Sequence, residues 1–481
     1  GWADHLEFMD GRLANSLDYA GKLLKSGDSN IATSVSGTQA PTAYGGMDWW
    51  KQVKVLDGAL SYFVGGQLEL HRSFKPDGQF MPWNWGYSAR GAKAVANIWR
   101  TAFVGCRGVI GFHDLSIFNP DWTWSAGYKE VKPCMDRIAS GVGKHLIHNL
   151  KGEPSVAVLY SQASIRAAFF ENRREEHSKL RDKYIQLLHH LGYAFDFVSY
   201  EQLADGTFES RGYKALILAD ATAMSDAEVA AVERFAAKGG AVLAEGVPAT
   251  REGNCRKRVQ SPLARFVLIP KVDVSYLKAL EYPAEPENAA LIAAEQDRLE
   301  SALAKAGVNP PRLLLSDASG GGRFRLAETY ARAGKGALFW GVISNDRQDH
   351  VIDFSFPKKG HLYDLAAGKY IGFGDRFTLP FAGGRPYAFE LTDERPAISE
   401  LTAEDGKIRI AYSKDVDSVV YLRIYDPKGQ EVEHYSRKLV VKNGFAEMTV
   451  PFALSDPKGE WRVTATDVVG RAVREIVFTH K

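Results

Sequence analysis

The apolar residues of the first 152 positions follow two spacings, one typical of helices and one typical of buried strands. Between Trp2 and Lys25 they recur every three or four positions, which predicts an amphipathic helix. Continuous apolar runs separated by further helical segments predict βαβ units around a parallel sheet. The predicted strands are Ile31–Val35, Leu56–Phe63, Gln79–Trp83 and Gly108–Phe112, and the predicted helices are 2–25, 49–53, 89–103 and 131–150.

These four strand–helix pairs are half of the eight in a closed (β/α)8 barrel. Residues 1–152 are therefore predicted to form half of such a barrel. Pro154 marks a boundary, and residues 153–252 contain four more buried strands separated by helices. This pattern predicts a small doubly wound α/β domain. Its last helix starts with Ser225 and Glu228 at capping-box spacing.

The hydrophobic period falls to two in the last third of the chain. Residues 253–395 combine one long predicted helix, Ala289–Ala306, with a β-domain that starts near Arg323. Residues 396–481 contain five or more alternating strands and two similar turns, which predicts an Ig-like β-sandwich. The predicted fold class is therefore multidomain, α/β followed by β.

Composition excludes several classes of protein. A length of 481 residues exceeds what one core supports, so three or four domains are expected. A net charge of +2 is too small for a nucleic-acid or membrane-surface protein, and no apolar run reaches the roughly 18–20 residues that span a bilayer. Three cysteines offer neither a disulfide framework nor a CxxC metal site. We expect no metal, no cofactor, and no nucleic-acid or membrane partner.

Aromatic and polar residues crowd the predicted carboxyl ends of the first four strands, where parallel barrels bind ligands. Trp and Tyr rings stack on sugars, and neighbouring polar side chains bind hydroxyl groups. The pattern favours a carbohydrate cleft, and the alternative is that these rings only pack the barrel against its helices. The candidate substrate-binding residues are Asp48, Trp49, Arg72, Trp83, Asn84, Trp85, Tyr87 and His113.

Glycoside hydrolysis normally requires two carboxyl groups about 5–10 Å apart. The candidate catalytic carboxylates are Glu69 and Asp114, with Asp48 as a third option. Arg72 beside Glu69 would keep that carboxylate ionised. The structural alternatives are a solvated Glu69 on a short helix and an Asp114 that caps a turn.

The doubly wound domain lacks the motifs of two enzyme classes. Ser161-Gln162-Ala163-Ser164 stands where a dinucleotide-binding domain has GxGxxG. The turn Ala219-Asp220-Ala221-Thr222 contains no cysteine, which an amidotransferase would need there. The sequence therefore favours a structural or oligomer-forming role.

Several motifs, taken in order, resemble the second half of the catalytic barrel of family 42 glycoside hydrolases, which are β-galactosidase-like enzymes. They are Asp48-Trp49-Trp50, Arg72-Ser73-Phe74, Trp83-x-Trp85-Gly86-Tyr87 and Gly105-x-x-Gly108. Residues 154–245 are similar to the family's α/β trimerisation domain, which looks like an amidotransferase without its nucleophile. The tail, with His361-Leu362-Tyr363-Asp364, resembles that of large bacterial relatives.

The resemblance implies activity on a β-linked, galactoside-like oligo- or polysaccharide, but the chain departs from the family pattern. The family's nucleophile would fall near 81–85, where there is no carboxylate, and its acid/base Glu would precede Trp2. We therefore expect the other barrel half to be supplied by a partner chain or a cleaved N-terminal fragment.

Two broader questions stay open at the level of sequence. The alternative function is a non-catalytic carbohydrate-binding or scaffold protein with a degenerate barrel. A homo-oligomer is expected through residues 154–245. An Ig-like tail favours a periplasmic or extracellular location, whereas free cysteines favour the opposite.

Overall fold

Parallel strands with helices between them make up the first part of the chain, as the apolar pattern predicts. The computed structural model describes residues 1–38, 40–62, 66–85, 90–111, 117–269, 288–310, 312–320 and 322–481, without the side chains of Thr38, Asn84, Trp85, Val267 and Leu268. Strands β1 to β3 pair in parallel in chain order, and β4 pairs in parallel with β5. They are β1 (Ser34–Thr38), β2 (Gly58–Ser61), β3 (Gln79–Phe80), β4 (Trp83–Trp85) and β5 (Ile110–Gly111).

Helices separate these strands and cover them. A single strand was predicted at Gln79–Trp83, but the structure divides it, because Pro82 has no N–H for the ladder. The helix predicted at 131–150 is also divided, by a π-helical turn at Ile138–Val142 in which Gly141 has φ 124°. The helices are α1 (Trp2–Gly27), α2 (Trp49–Val55), α3 (Gln67–Phe74), α4 (Gly91–Val104), α5 (Ala126–Arg137) and α6 (Gly143–His148).

The α/β domain is a five-stranded parallel sheet in the order β10-β9-β8-β6-β7. The predicted capping box forms, since Ser225 Oγ accepts from the Glu228 N–H and the Glu228 carboxylate accepts from the Ser225 N–H. Strand β10 lies beyond residue 252, so this sheet extends past the predicted boundary. The elements are β6 (Val156–Tyr160), α7 (Gln162–Phe170), α8 (Arg174–His190), β7 (Phe195–Ser199), α9 (Tyr200–Ala204), β8 (Ala215–Ala219), α10 (Asp226–Ala237), β9 (Ala241–Glu245) and β10 (Val267–Ile269).

An antiparallel β-domain follows helix α11 (Ala289–Lys305). Five of its strands pair in the order β11-β14-β16-β13-β12, and β15 pairs with β14 through the hairpin predicted at Asp364–Tyr370. The strands are β11 (Leu314–Asp317), β12 (Ala327–Gly334), β13 (Ala337–Ser344), β14 (His350–Asp364), β15 (Lys369–Phe381) and β16 (Pro386–Thr392).

The chain ends in two antiparallel sheets that share one core. One sheet has the order β17-β18-β21 and the other β20-β19-β22-β23. Ile408, Leu422 and Trp461 pack together between them. The strands are β17 (Ile398–Glu404), β18 (Lys407–Tyr412), β19 (Ser418–Tyr425), β20 (Arg437–Val441), β21 (Phe445–Thr449), β22 (Gly459–Asp467) and β23 (Val473–His480).

Buried ion pairs connect the first 152 residues to the domains that follow. Asp10 of α1 pairs with Arg166 of α7 at 2.6 Å, and both side chains are almost fully buried. Arg100 of α4 pairs with Glu328 of β12 at 2.8 Å. Within the described ranges, no helix has both the length and the apolar character that a membrane span requires.

Candidate functional site

The carboxyl ends of β1, β2, β4 and β5 are the place where the sequence predicts a ligand cleft. The chain just beyond these ends, at 39, 63–65, 86–89 and 112–116, lies outside the described residues. Tyr87, His113 and Asp114 fall there and stay predictions. The backbone places Asn84 and Trp85 in β4, but their side chains lie outside the described structure.

Two aromatic residues meet at the described part of this edge. Tyr62, just past β2, forms a parallel bridge with Trp83 of β4. The Tyr62 side chain is 40% exposed. The Trp83 side chain is half-buried, and its Nε1 donates to the Leu60 carbonyl at 3.1 Å. Neighbouring rings at strand carboxyl ends can form a platform for a sugar face.

Tyr62 was missed in the sequence because it reads as part of the strand predicted at 56–63. The strand pairing stops at Ser61, so Tyr62 stands at the mouth rather than inside the sheet. An aromatic residue at the last position of a predicted strand is the signal that would have identified it.

Asp48 and Trp49 face the α/β domain. Asp48 caps α2, and its carboxylate accepts from the Trp50 N–H at 3.1 Å and from the Tyr200 hydroxyl at 2.6 Å. Burial raises the pKa of Asp48 to about 6. Trp49 is fully buried, and its N–H donates to the Tyr160 hydroxyl. As folded here, the Trp49 ring offers no face to a ligand.

Glu69 and Arg72 lie on α3 and also point towards the following domains. Glu69 is buried, with Oε1 3.1 Å from His189 Nε2. Burial opposes ionisation, but the hydrogen bond and charge of His189 outweigh it and lower the pKa of Glu69. Arg72 Nη1 donates to Asp196 Oδ1 at 2.5 Å. In barrel folds the helices lie outside the strands, so this placement makes both residues interdomain contacts.

Glu69 and Arg72 also line a cavity of about 60 Å³ at the junction of the three segments. Tyr330 and Arg332 of β12 line it from the β-domain. The cavity is about the size of a few water molecules, too small for a sugar ring. The structure thus brings Glu69 and Arg72 together, but away from Tyr62 and Trp83.

His71 is a buried residue that the sequence did not identify as unusual. Its ring stacks on Phe80 at 4.7 Å between centroids and meets the edge of Trp49. Neither ring nitrogen has a hydrogen-bond partner in the described part of the chain, and burial lowers the pKa of His71 to about 3. His71 is therefore neutral and acts as an apolar spacer beneath the strand ends.

The position where an amidotransferase carries its cysteine is occupied by Asp220. This residue follows β8 with φ 50°, a left-handed conformation. Arg173 Nη1 donates to its carboxylate at 2.9 Å, and His177 Nδ1 lies at the same distance. Both partners favour the charged form, and against the effect of burial they lower the pKa of Asp220. A carboxylate held in this way is a closed ion-pair cluster. Among the described residues, no three His, Cys, Asp or Glu side chains are grouped to hold a metal.

No protein-family profile matches this sequence, and no curated protein resembles it in sequence. Solved structures do resemble it in fold. A family 42 exo-carrageenase from Bacteroides ovatus superposes with a TM-score of 0.57 at 12% identity over 82% of this chain. The β-galactosidase from Bacillus circulans sp. alkalophilus gives a TM-score of 0.60 at 14% identity over 81% of this chain.

The chain has the fold of family 42 glycoside hydrolases. A β-galactosidase from Marinomonas ef1 extends the likeness, with a TM-score of 0.52 at 12% identity over 81% of this chain. The family 42-like chain spans 56% of the exo-carrageenase, 68% of the Bacillus enzyme and 69% of the Marinomonas enzyme. At these identities the likeness is one of fold, shared across the α/β and β-rich parts.

Proposed function

We propose that this chain is a component of a glycoside hydrolase that acts on a β-linked, galactoside-like oligo- or polysaccharide. The supporting observation is the fold match to a β-galactosidase with a TM-score of 0.60. In such an enzyme one carboxylic acid protonates the glycosidic oxygen, and a second carboxylate meets the oxocarbenium-like centre. Within this proposal, residues 1–152 are half of the barrel, the second domain is amidotransferase-like, and the terminal sandwich is Ig-like.

The proposal includes further barrel strands, in the same polypeptide or in a partner chain. In the described part of the chain, β1 pairs only with β2, so its other edge is open. Helix α1 also has two apolar faces. One is buried and includes Ala3, Leu6 and Ala14, and the other exposes 46–72% of the side chains of Trp2, Phe8, Met9, Tyr19, Leu23 and Leu24. A helix that is apolar on both faces is normally covered on both.

A binding experiment tests this completion. The complementary barrel half, taken from a family 42 enzyme, is titrated into this chain, and association is followed by light scattering. Phe8→Ser/Leu23→Ser should weaken association at least tenfold. Val351→Ser/Val477→Ser, on exposed aliphatic residues of the β-domains, is the matched control and should change nothing. Equal binding by both double variants would remove α1 from the interface.

The cleft is tested with galacto-oligosaccharides on the complete assembly. Tyr62→Ala and Trp83→Ala should each weaken binding about tenfold, because each ring contributes on the order of 1–2 kcal/mol against a pyranose face. Asp114→Asn should abolish turnover of a nitrophenyl β-galactoside. Glu69→Gln should retain the turnover, since Glu69 pairs with His189 outside the cleft. Binding that survives both aromatic substitutions would refute the platform.

The second candidate is a non-catalytic carbohydrate-binding or scaffold protein. The absence of any carboxylate between Met81 and Trp85 favours it. A complete assembly that binds galacto-oligosaccharides through Trp83 without turning them over would establish this alternative.

Self-association through residues 154–245 is also part of the proposal. Deleting this domain should convert an oligomer to monomers in light scattering, and an unchanged mass after deletion would contradict the proposal.

A further inference from the structure

A groove of about 880 Å³ lies at the amino-terminal ends of the parallel strands. Gln79, the first residue of β3, and residues 107–109, just before β5, line one side of it. Helix α4 and the α5–α6 segment form two walls, and Arg437 and Lys438 of β20 close it from the sandwich. The groove is therefore separate from the strand ends that carry Tyr62 and Trp83.

Aliphatic side chains form the floor of this groove. Ile98 and Ala102 of α4 are buried beneath it. Val109, Met135, Ile138 and Ile147 are half-buried and reach its surface. None of the described lining residues is Phe, Tyr or Trp. Without an aromatic ring to stack on a pyranose, the groove has no platform for a sugar.

The rim of the groove is cationic. It carries Arg107, Lys144, Arg437 and Lys438 together with His148, and no Asp or Glu is found among its described lining residues. These cations belong to three separate elements, namely the entry to β5, helix α6 and strand β20. Positive charge therefore surrounds the groove rather than marking one end.

These cations lack close carboxylate partners in the described part of the chain. Lys144 Nζ donates to the Lys438 carbonyl at 2.7 Å, and Arg437 Nη1 donates to the Ser436 carbonyl at 2.9 Å. Lys438 Nζ lies 4.4 Å from the Tyr421 ring centroid. Arg107 reaches only Asp77, at 3.9 Å, and that carboxylate is fully exposed.

His148 is affected by the same field. Burial lowers its pKa first, and the positive charges of Arg107, Lys144 and Lys442 lower it further. The uncompensated charge at the rim is thus large enough to act on a neighbouring titratable group.

We propose that this groove binds an acidic polypeptide segment of a partner protein, one that carries aliphatic side chains between its carboxylates. Carboxylates pair with Arg107, Lys144, Arg437 and Lys438 on the rim, where arginine forks match them in a bidentate way. Aliphatic side chains cover Val109, Met135, Ile138 and Ile147 on the floor. A single-headed amphiphile would reach only one of the three cationic elements. The inference is independent of the proposed enzymatic function.

The test uses a fluorescein-labelled ten-residue peptide of Glu and Leu in equal number, followed by anisotropy with the full chain. Lys144→Glu/Arg437→Glu should weaken binding at least tenfold, and binding to the unchanged chain should fall as salt is raised. Lys359→Glu/Lys428→Glu, on two exposed lysines outside the groove, makes the same change in net charge and should leave binding unaltered. Lys144→Gln/Arg437→Gln provides a neutral version should the reversed charges impair folding.

The floor is tested separately, with a peptide in which Ser replaces every Leu. This peptide should bind at least tenfold more weakly, and Met135→Ser/Ile147→Ser should remove the difference between the two peptides. Equal binding of both peptides to the unchanged chain would overturn the proposal, because charge alone would then account for it. Equal loss in the control variant, stronger binding of a sulfated oligosaccharide than of the Glu–Leu peptide, or no binding at millimolar peptide would overturn it as well.

Discussion

At the scale of single residues, buried charges at the junctions are held by specific partners. Arg100 and Glu328 form a bidentate pair, with Nε to Oε2 and Nη2 to Oε1 both at 2.8 Å. The Tyr330 hydroxyl donates to Glu328 Oε2 at 2.6 Å. Burial opposes the charge of Glu328, but Arg100 outweighs it and lowers the pKa of this carboxyl to about 2. This pair ties α4 to β12.

Removing one member of this pair should be costly. Arg100→Met leaves the Glu328 carboxylate buried without its cation, and we expect a loss of about 3–5 kcal/mol in the free energy of unfolding. Urea denaturation followed by tryptophan fluorescence measures it. Arg409→Met, in an exposed pair with Glu447, should cost less than about 1 kcal/mol. Adding Glu328→Leu to Arg100→Met should recover much of the loss, and no recovery would contradict this account.

At the scale of elements, the parallel strands of the first 152 residues approach each other closely. Gly58 begins β2 and pairs with Gln79 of β3. A Cβ at position 58 would stand 2.0 Å from the Gln79 carbonyl oxygen. No backbone atom tolerates that distance, so the pairing of β2 with β3 depends on a glycine there.

Gly58→Ala should therefore separate β2 from β3 and lower the free energy of unfolding by about 2 kcal/mol or more. The matched control is Gly11→Ala in α1, where a Cβ would meet no atom within 4 Å. That substitution should be neutral or stabilise by up to about 1 kcal/mol, because alanine favours the helix. Thermal unfolding measures both variants. Equal midpoints for the two would show that the close approach has no energetic weight.

At the scale of the whole molecule, a buried histidine joins the first segment to the β-domain. His145 Nε2 of α6 lies 2.8 Å from Glu390 Oε2 of β16, and both side chains are almost fully buried. Burial alone would lower the pKa of His145, but the charge and hydrogen bond of Glu390 outweigh it and raise the pKa. Asp467 acts in the same direction, and Lys442 acts against it.

The sign of the pH dependence follows from the raised pKa of His145. A group that binds its proton more tightly in the folded state stabilises the protein fully below its ordinary pKa of about 6.5. That stabilisation is lost as the pH rises through the folded-state pKa. We therefore expect the urea midpoint to fall between pH 6 and pH 9. His145→Gln should lower stability at pH 6 by about 3 kcal/mol and remove this part of the slope.

The control for this prediction is His434→Gln, on an exposed histidine of the sandwich. It should leave both the midpoint and its slope unchanged. An unaltered slope in His145→Gln would assign the pH dependence to other groups.

The sequence by itself determined the elements whose causes are local. Continuous apolar runs gave the parallel strands, because a strand covered on both faces has no polar side. Ser225 and Glu228 set the start of α10, since a capping box involves only residues three apart. The period of two predicted both β-rich regions, because each strand has one buried face.

Only the tertiary structure decided which faces meet. The apolar stripe of α1 includes Met9 and Leu24, yet both are about half exposed, while Asp10 is buried against Arg166. Glu69 reads as a cleft carboxylate but points to His189, 120 positions away in the chain. Such placements depend on surfaces contributed by distant segments. Local spacing fixes that a helix forms, but the surface that buries a side chain, or supplies the opposite charge, exists only after the domains have packed together.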